Sequence, residues 1–198
     1  MTARRSTHRA KERGAAMVEF TIVLGLLTLI VMGIFEFGAA YSNKLRVETA
    51  ARAGARVGSN LGSDRMSDYN LLQSVKSVLN DLGLNNVTYV VVFNASATNG
   101  AIPSGCGGAT PTSTTNKCNV YTGSQLSALT SADFTGTTSC GVGAPDRYWC
   151  PTSRQTIQHL GPDSIGIWIK ANSKTLTSFF GSPLKLDATA VMRIEPKG

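Results

Sequence analysis

Histidine is nearly absent from this chain: there are two in 198 residues, His8 and His159. His8 lies in a basic N-terminal stretch, which leaves His159 as the single imidazole placed to act as a general base, and no motif surrounds it. Cysteine is scarce and localised. Cys106, Cys118, Cys140 and Cys150 fall in one Gly/Ser/Thr-rich region with no two within a few positions of each other, so the paired spacing of a structural zinc site is missing. Gly105-Cys106-Gly107-Gly108 and Gly141-Val142-Gly143 neither follow an expected strand nor open an expected helix, and a phosphate-cradling loop has no support. No basic face interleaved with aromatics occurs downstream of the N-terminus, which argues against nucleic acid as a partner. The expectation is a chain with no cofactor, no metal and no catalytic residues.

Charge is also missing where it matters most. No charged residue interrupts Phe20 to Phe35; Glu36 follows, and Phe37 to Asn43 is uncharged again. From Ala15 to Ala40 is about 26 residues, about 39 Å of helix, enough to cross a bilayer core of about 30 Å. Glu19 stands at the mouth of this segment. A carboxylate there must snorkel, take up a proton or meet a cation, so it is a functional candidate by default. The formal net charge of +7 divides unevenly: Arg4, Arg5, Arg9, Lys11 and Arg13 against Glu12 give residues 1–14 a share of +4. That reads as a cytoplasmic leader abutting a membrane segment rather than as a nucleic-acid patch. Lys44, Arg46, Arg52 and Arg56 beyond the segment weaken the positive-inside contrast, and orientation rests more on the cysteines. Four of them in a polar, Gly-rich region point to disulfides outside the cytoplasm; three connectivities are possible, and local pairing, Cys106 with Cys118 and Cys140 with Cys150, is the expected one.

The basic leader, the run Arg13-Gly14-Ala15-Ala16-Met17-Val18-Glu19-Phe20, the later Gly33-Ile34-Phe35-Glu36-Phe37-Gly38 and the Ala/Arg-rich continuation from Ala50 to Gly58 resemble the TadE-like pseudopilins of Tad (tight-adherence) pilus systems. The resemblance covers roughly residues 10–58. It implies a type IV prepilin-like signal cut by a prepilin peptidase between Gly14 and Ala15. The new α-amino group of Ala15, with a pKa of about 8, is then a cation. The resemblance further implies that Glu19 of one subunit meets the N-terminus of a neighbour, with Phe20 and Glu36 on the same assembly helix. Each subunit supplies both a charge and its partner, so packing is head-to-tail and open-ended. Partners implied are the peptidase, other pilin or pseudopilin subunits and an inner-membrane assembly platform. The large head implies a minor component, since major pilins of such systems are very short.

The remainder reads as an α+β head. The helix is expected to continue from Tyr41 to about Gly58, with Glu48, Arg52 and Arg56 on one face and Val47, Ala50, Ala51, Gly54 and Val57 opposite. The small residues Ala50, Gly54 and Gly58 suit either a second helix at close range or the chain's own head. A second helix, capped by Ser67 or Asp68, carries Leu71, Leu72, Val75, Val78, Leu79 and Leu82 on one stripe and stops at Gly83. Val87 to Phe93 reads as a central strand. Ser164 to Ala171 alternates as a strand, Ser173 to Phe180 suits a short helix, and Leu184 to Ile194 alternates with Leu184, Leu186, Ala188, Ala190, Met192 and Ile194 facing inward. Between these, about 94–161, apolar periodicity is lost, and a disulfide-stapled insertion presented to solvent is expected.

The fold expectation is therefore pilin-like: a long transmembrane and spine helix, a short helix, and a small antiparallel sheet carrying a disulfide-containing loop insertion. Domains are expected at 1–14 (leader), 15–62 (membrane and extended helix) and 63–198 (extracytoplasmic head). The expected location is a single pass through the inner membrane, N-terminus inside. Two other readings come from the residues. Gly38-Ala39-Ala40 before Tyr41 suits an ordinary signal peptidase and a secreted, disulfide-stapled binding domain, and a membrane-tethered hydrolase would have to work through His159.

Overall fold

A computed structural model describes residues 5–134, 140–173 and 183–196. The chain divides into two compact units, Met1–Ala39 and Ala40–Gly198.

Helix α1 runs from Arg5 to Leu61 without interruption, 57 residues. No proline falls within it to remove a backbone donor. It ends where Gly62 takes φ +55° and returns its N–H to the Gly58 carbonyl at 2.9 Å. Among the described residues this is the one helix long and apolar enough to cross a membrane.

Helix α2, Ser67–Leu79, buries Leu71, Leu72, Val75 and Leu79, the stripe its periodicity demands. Each such side chain withdrawn from water contributes about 1.5–3 kcal/mol. Its start corrects the sequence expectation: Met66 occupies the N-cap position without a side-chain cap, while Ser67 and Asp68 lie inside the first turn and are buried. Asp64 accepts the Met66 N–H at 2.8 Å instead. A 3-10 turn, Asn80–Leu82, extends the helix to Gly83 at φ +83°.

Four strands, β1 (Val87–Asn94), β2 (Cys118–Thr122), β3 (Ser164–Ser173) and β4 (Leu184–Arg193), form one antiparallel sheet in the order β2-β1-β3-β4. β1 is central, as its unbroken apolar run requires. Ile165, Ile167 and Ile169 of β3 enter the main core with Val90, Val92 and the α2 stripe. Val47, Ala50, Ala51 and Ala55 of α1 join the same core. The small-residue stripe is occupied by the head itself: a Cβ on Gly54 would stand 2.6 Å from Val75 Cγ2, and one on Gly58 2.6 Å from Ile165 Cδ1 and 2.7 Å from Leu71 Cδ1.

Two further expectations change. The opposite face of the sheet is not wholly wet, because Val91, Phe93 and Trp168 form a second cluster with Ala95, Cys106 and Cys118 under the 95–117 loop. The 94–161 stretch is not wholly a solvent-facing insertion either. It supplies edge strand β2, helix α3 (Gly123–Ala128) and the core side chains Tyr121, Leu126, Phe134 and Trp149. Leu184, expected inward, is 44% exposed at the start of edge strand β4. Of the short helix expected at Ser173 to Phe180, Ser173 instead closes β3, and the rest lies outside the described residues.

Candidate functional site and the buried charge network of the head

In the first unit, Gly14, Ala15, Glu19 and Phe20 occupy consecutive turns of α1 and all are exposed. Ala15 and Glu19 are four residues apart and therefore share a face. A Cβ added at Gly14 or Gly25 would meet nothing within 4 Å. Met17, Val18, Phe20, Ile22, Leu26, Ile34 and Phe37 are each more than half exposed, and the most apolar window of the helix has no buried residue. The two threonines in the run, Thr21 and Thr28, turn their hydroxyls back onto the Met17 and Leu24 carbonyls at 2.7 and 2.8 Å, so they present little polarity outward. Glu36, by contrast, is buried.

The head holds a cluster that sequence reasoning did not single out. Asp68 Oδ1 accepts from Arg154 Nη2 at 2.5 Å, and both side chains are fully buried. Asp68 Oδ2 accepts from Asn119 Nδ2 at 3.0 Å and from the Tyr121 hydroxyl at 3.2 Å. Asn119 Oδ1 in turn accepts the backbone N–H groups of Tyr148 and Trp149 at 3.1 and 3.0 Å. The Arg154 guanidinium lies 4.1 Å from the Trp149 ring centroid, stacking charge on an aromatic face. Nearby, Arg65 donates to Asp146 Oδ2 at 2.6 Å, with Asp146 fully buried. Burial, then the charge of Asp68, raises the Asp146 pKa above the usual carboxylate value against the opposing pull of Arg65. Burial foremost, then Asp68 and Asp146, lifts the Tyr121 phenol well above its ordinary value. The cluster therefore ties α2 to β2 and to the 140–154 segment. Most of its hydrogen bonds run within the cluster, while Arg65 Nε and Nη2, Asp146 Oδ1 and Arg154 Nε are buried with no hydrogen-bond partner among the described residues.

The signals that would have found this cluster are thin but real. Arg154 has no Asp, Glu, Lys or Arg within six positions of it, and Asn119-Val120-Tyr121 alternates within a five-residue strand. His159 lies on an exposed 3-10 turn, Gln158–Leu160. Among the described residues, no group of three or more His, Cys, Asp or Glu side chains is arranged to hold a metal ion. The cysteines pair as Cys106–Cys118 and Cys140–Cys150.

The β2 edge of the sheet is engaged by the chain itself, and the β4 edge is touched at two carbonyls. The outward N–H groups of β2 go to local acceptors: Cys118 to the Thr114 carbonyl at 3.0 Å, Val120 to Ser113 Oγ at 2.9 Å, Thr122 to Gln125 Oε1 at 2.8 Å. At β4, Lys44 Nζ donates to the Asp187 carbonyl, and Ser59 Oγ to the Arg193 carbonyl at 2.5 Å. An occupied edge such as that of β2 resists pairing with a second sheet.

No curated protein and no solved structure matches the chain. Residues 14–56, which take in the exposed apolar helix and the small-residue stripe that follows it, match the family model of TadE-like proteins.

Proposed function

We propose that this protein is a minor pilin-like subunit, a pseudopilin, of a Tad-type pilus. It enters the inner membrane with residues 1–14 on the cytoplasmic side. A prepilin peptidase removes that leader between Gly14 and Ala15. The subunit then packs into, or primes, an assembly through residues 15–40 while the head stays outside. Glu19 of each subunit pairs with the Ala15 α-amino group of a neighbour, and Phe20 packs beside that pair. The other partners are pilin or pseudopilin subunits and the inner-membrane assembly platform.

The observation that carries this reading is the helix surface. Apolar side chains are exposed all along Met17 to Phe37, and Glu19 is the one carboxylate at its start. The TadE-like match falls on this helix and its continuation. The engaged β2 edge supports the same assignment, because it closes that side of the sheet to strand exchange. Glu36, on the same helix, belongs with Glu19 and Phe20 to the assembly residues of this proposal.

Glu19→Ala tests the pairing. An unpaired amine in an apolar packing costs about 3–5 kcal/mol, so the variant is processed and inserted but is lost from isolated pilus or assembly-platform fractions. Recovery of Glu19→Ala in those fractions at the wild-type level rejects the pairing.

A further inference from the structure

Beyond its apolar stretch, the outer side of α1 carries charge at four-residue steps: Lys44, Glu48 and Arg52, with Arg56 after them. Within one chain these groups hold one another loosely. Glu48 lies 3.7 Å from Lys44 and 3.8 Å from Arg52, outside hydrogen-bond range, and all three side chains reach solvent. Exposed pairs of this kind add little to stability. The Glu48 carboxylate therefore keeps its capacity to accept from a donor outside the chain. Two large apolar side chains, Tyr41 and Leu45, stand exposed beside the column, while Val47, Ala50 and Ala51 fill the core on the side that the head covers.

The column is complementary to itself at one offset. When two parallel copies of the helix are shifted by four residues, about 6 Å, Glu48 of one comes level with Lys44 of the other, and Arg52 with Glu48. In register, every charge meets its like, and a shift of eight sets Arg52 against Lys44. The four-residue shift also brings Leu45 level with Tyr41. It sets Arg56 level with Arg52, but Arg56 points about 80° round the helix from Glu48, whereas Lys44 and Arg52 each lie about 40° from it. Four residues also separate Ala15 from Glu19, so pairing Glu19 with a neighbour's Ala15 imposes this same shift. Glu19 and Glu48 are about eight helical turns apart in sequence, at nearly the same phase of the repeat.

We infer that residues 41–52 of α1 form a second seam between copies of this chain, in which Glu48 of one copy meets Lys44 of the next and Arg52 meets the Glu48 of that next copy. The inference rests on the Glu19 pairing proposed above and extends it. That pairing sets the offset between neighbours, and the seam reads the same offset again outside the apolar segment. A copy that inserts in register meets like charge along the column, so the seam selects against misaligned packing. Leu45 and Tyr41 supply apolar contact beside the two ion pairs.

The test is co-purification of two differently tagged copies of the full-length chain from membranes of cells that retain a working prepilin peptidase. Two variants are compared with wild type: Glu48→Lys, and Lys44→Glu with Arg52→Glu. When both tags carry the same variant, like charges face each other at both contacts, and recovery of the second tag falls about tenfold or more. When one tag carries Glu48→Lys and the other carries Lys44→Glu/Arg52→Glu, opposite charges face each other again, and recovery returns to within about twofold of wild type. Mixing does not mend a defect that lies within one chain. Three results overturn the seam: no association between wild-type copies, undiminished association of either variant with itself, or a loss that mixing does not restore. Glu19→Ala on both tags, run alongside, separates the two claims. If it lowers recovery and the charge variants do not, the Glu19 pairing stands and the seam falls; if the charge variants behave as expected and Glu19→Ala recovers fully, the pairing falls and the seam stands.

Discussion

One helix of this protein solves two opposite problems. Residues 17–37 of α1 present large apolar side chains with nothing of the first unit around them; farther along, Val47, Ala50, Ala51, Gly54, Ala55 and Gly58 are buried by the head. The difference lies in side-chain size rather than in backbone. Leu, Ile, Met and Phe offer area to a solvent or partner that is itself apolar, whereas Ala and Gly admit α2 and β3 to van der Waals contact. A membrane or a stack of like helices satisfies the first surface, and the chain's own core satisfies the second. The same contrast holds for charge. Asp68 and Arg154 are sealed inside the head, while Lys44, Glu48 and Arg52 line the solvent face of the helix.

Removing one partner of the sealed pair is the largest single disruption. Arg154→Ala leaves Asp68 buried without its cation and lowers head stability by about 3–5 kcal/mol, read from chemical denaturation in detergent. A loss under about 1 kcal/mol shows that the pair is solvated in practice. Next comes the contrast between the two halves of α1. Gly58→Val drives methyl groups against Ile165 and Leu71 and costs about 1–3 kcal/mol. Gly25→Val, with nothing within 4 Å, leaves the head's unfolding transition where it was. Equal effects of the two substitutions would erase the distinction drawn between the halves.

The spine, α2 and three of the four strands were legible because their partners are written locally. A 3.6-residue stripe from Leu71 to Leu82, the apolar run Val87–Phe93 and the alternation of β3 and β4 each announce a buried face within a dozen residues. The 140–154 segment was not, because its partners lie far off in sequence. Arg154 and Asp68 are 86 residues apart, and neither neighbourhood hints at the other. That distance also explains the misread helix start. Asp68 has the residue type and position of a cap, and its burial against Arg154 is a tertiary fact that overrides the local one. β2 escaped notice because five residues between turns leave too little alternation to register. For the apolar helix, the match at residues 14–56 agrees with the reading of its motif. What Gly14, Ala15, Glu19 and Phe20 do there is carried by the proposal alone.

pH offers a smaller and more discriminating probe of the head. Burial raises the folded-state pKa of Asp146 above its unfolded value, so the native state binds that proton more tightly than the unfolded chain does. Its contribution to stability is therefore unfavourable above the raised pKa and recovers as pH falls through it. Asp146→Asn lacks this titration. The stability of the wild type relative to Asp146→Asn should accordingly improve as pH is lowered from neutrality through the upper carboxylate range, in paired denaturation curves. A gap that moves the other way means that the Arg65 pairing outweighs burial. Smallest of all is the exposed face. Glu48 lies 3.7 Å from Lys44 and 3.8 Å from Arg52 with its side chain 35% exposed, and Glu48→Gln changes stability by no more than about 0.5 kcal/mol.

The most direct measurement is the N-terminal sequence of the protein isolated from membranes of cells that retain a working prepilin peptidase. The account predicts that the chain begins at Ala15, with Glu19 as its fifth residue. A chain that still begins at Met1, or one released to the medium beginning at Tyr41, contradicts it.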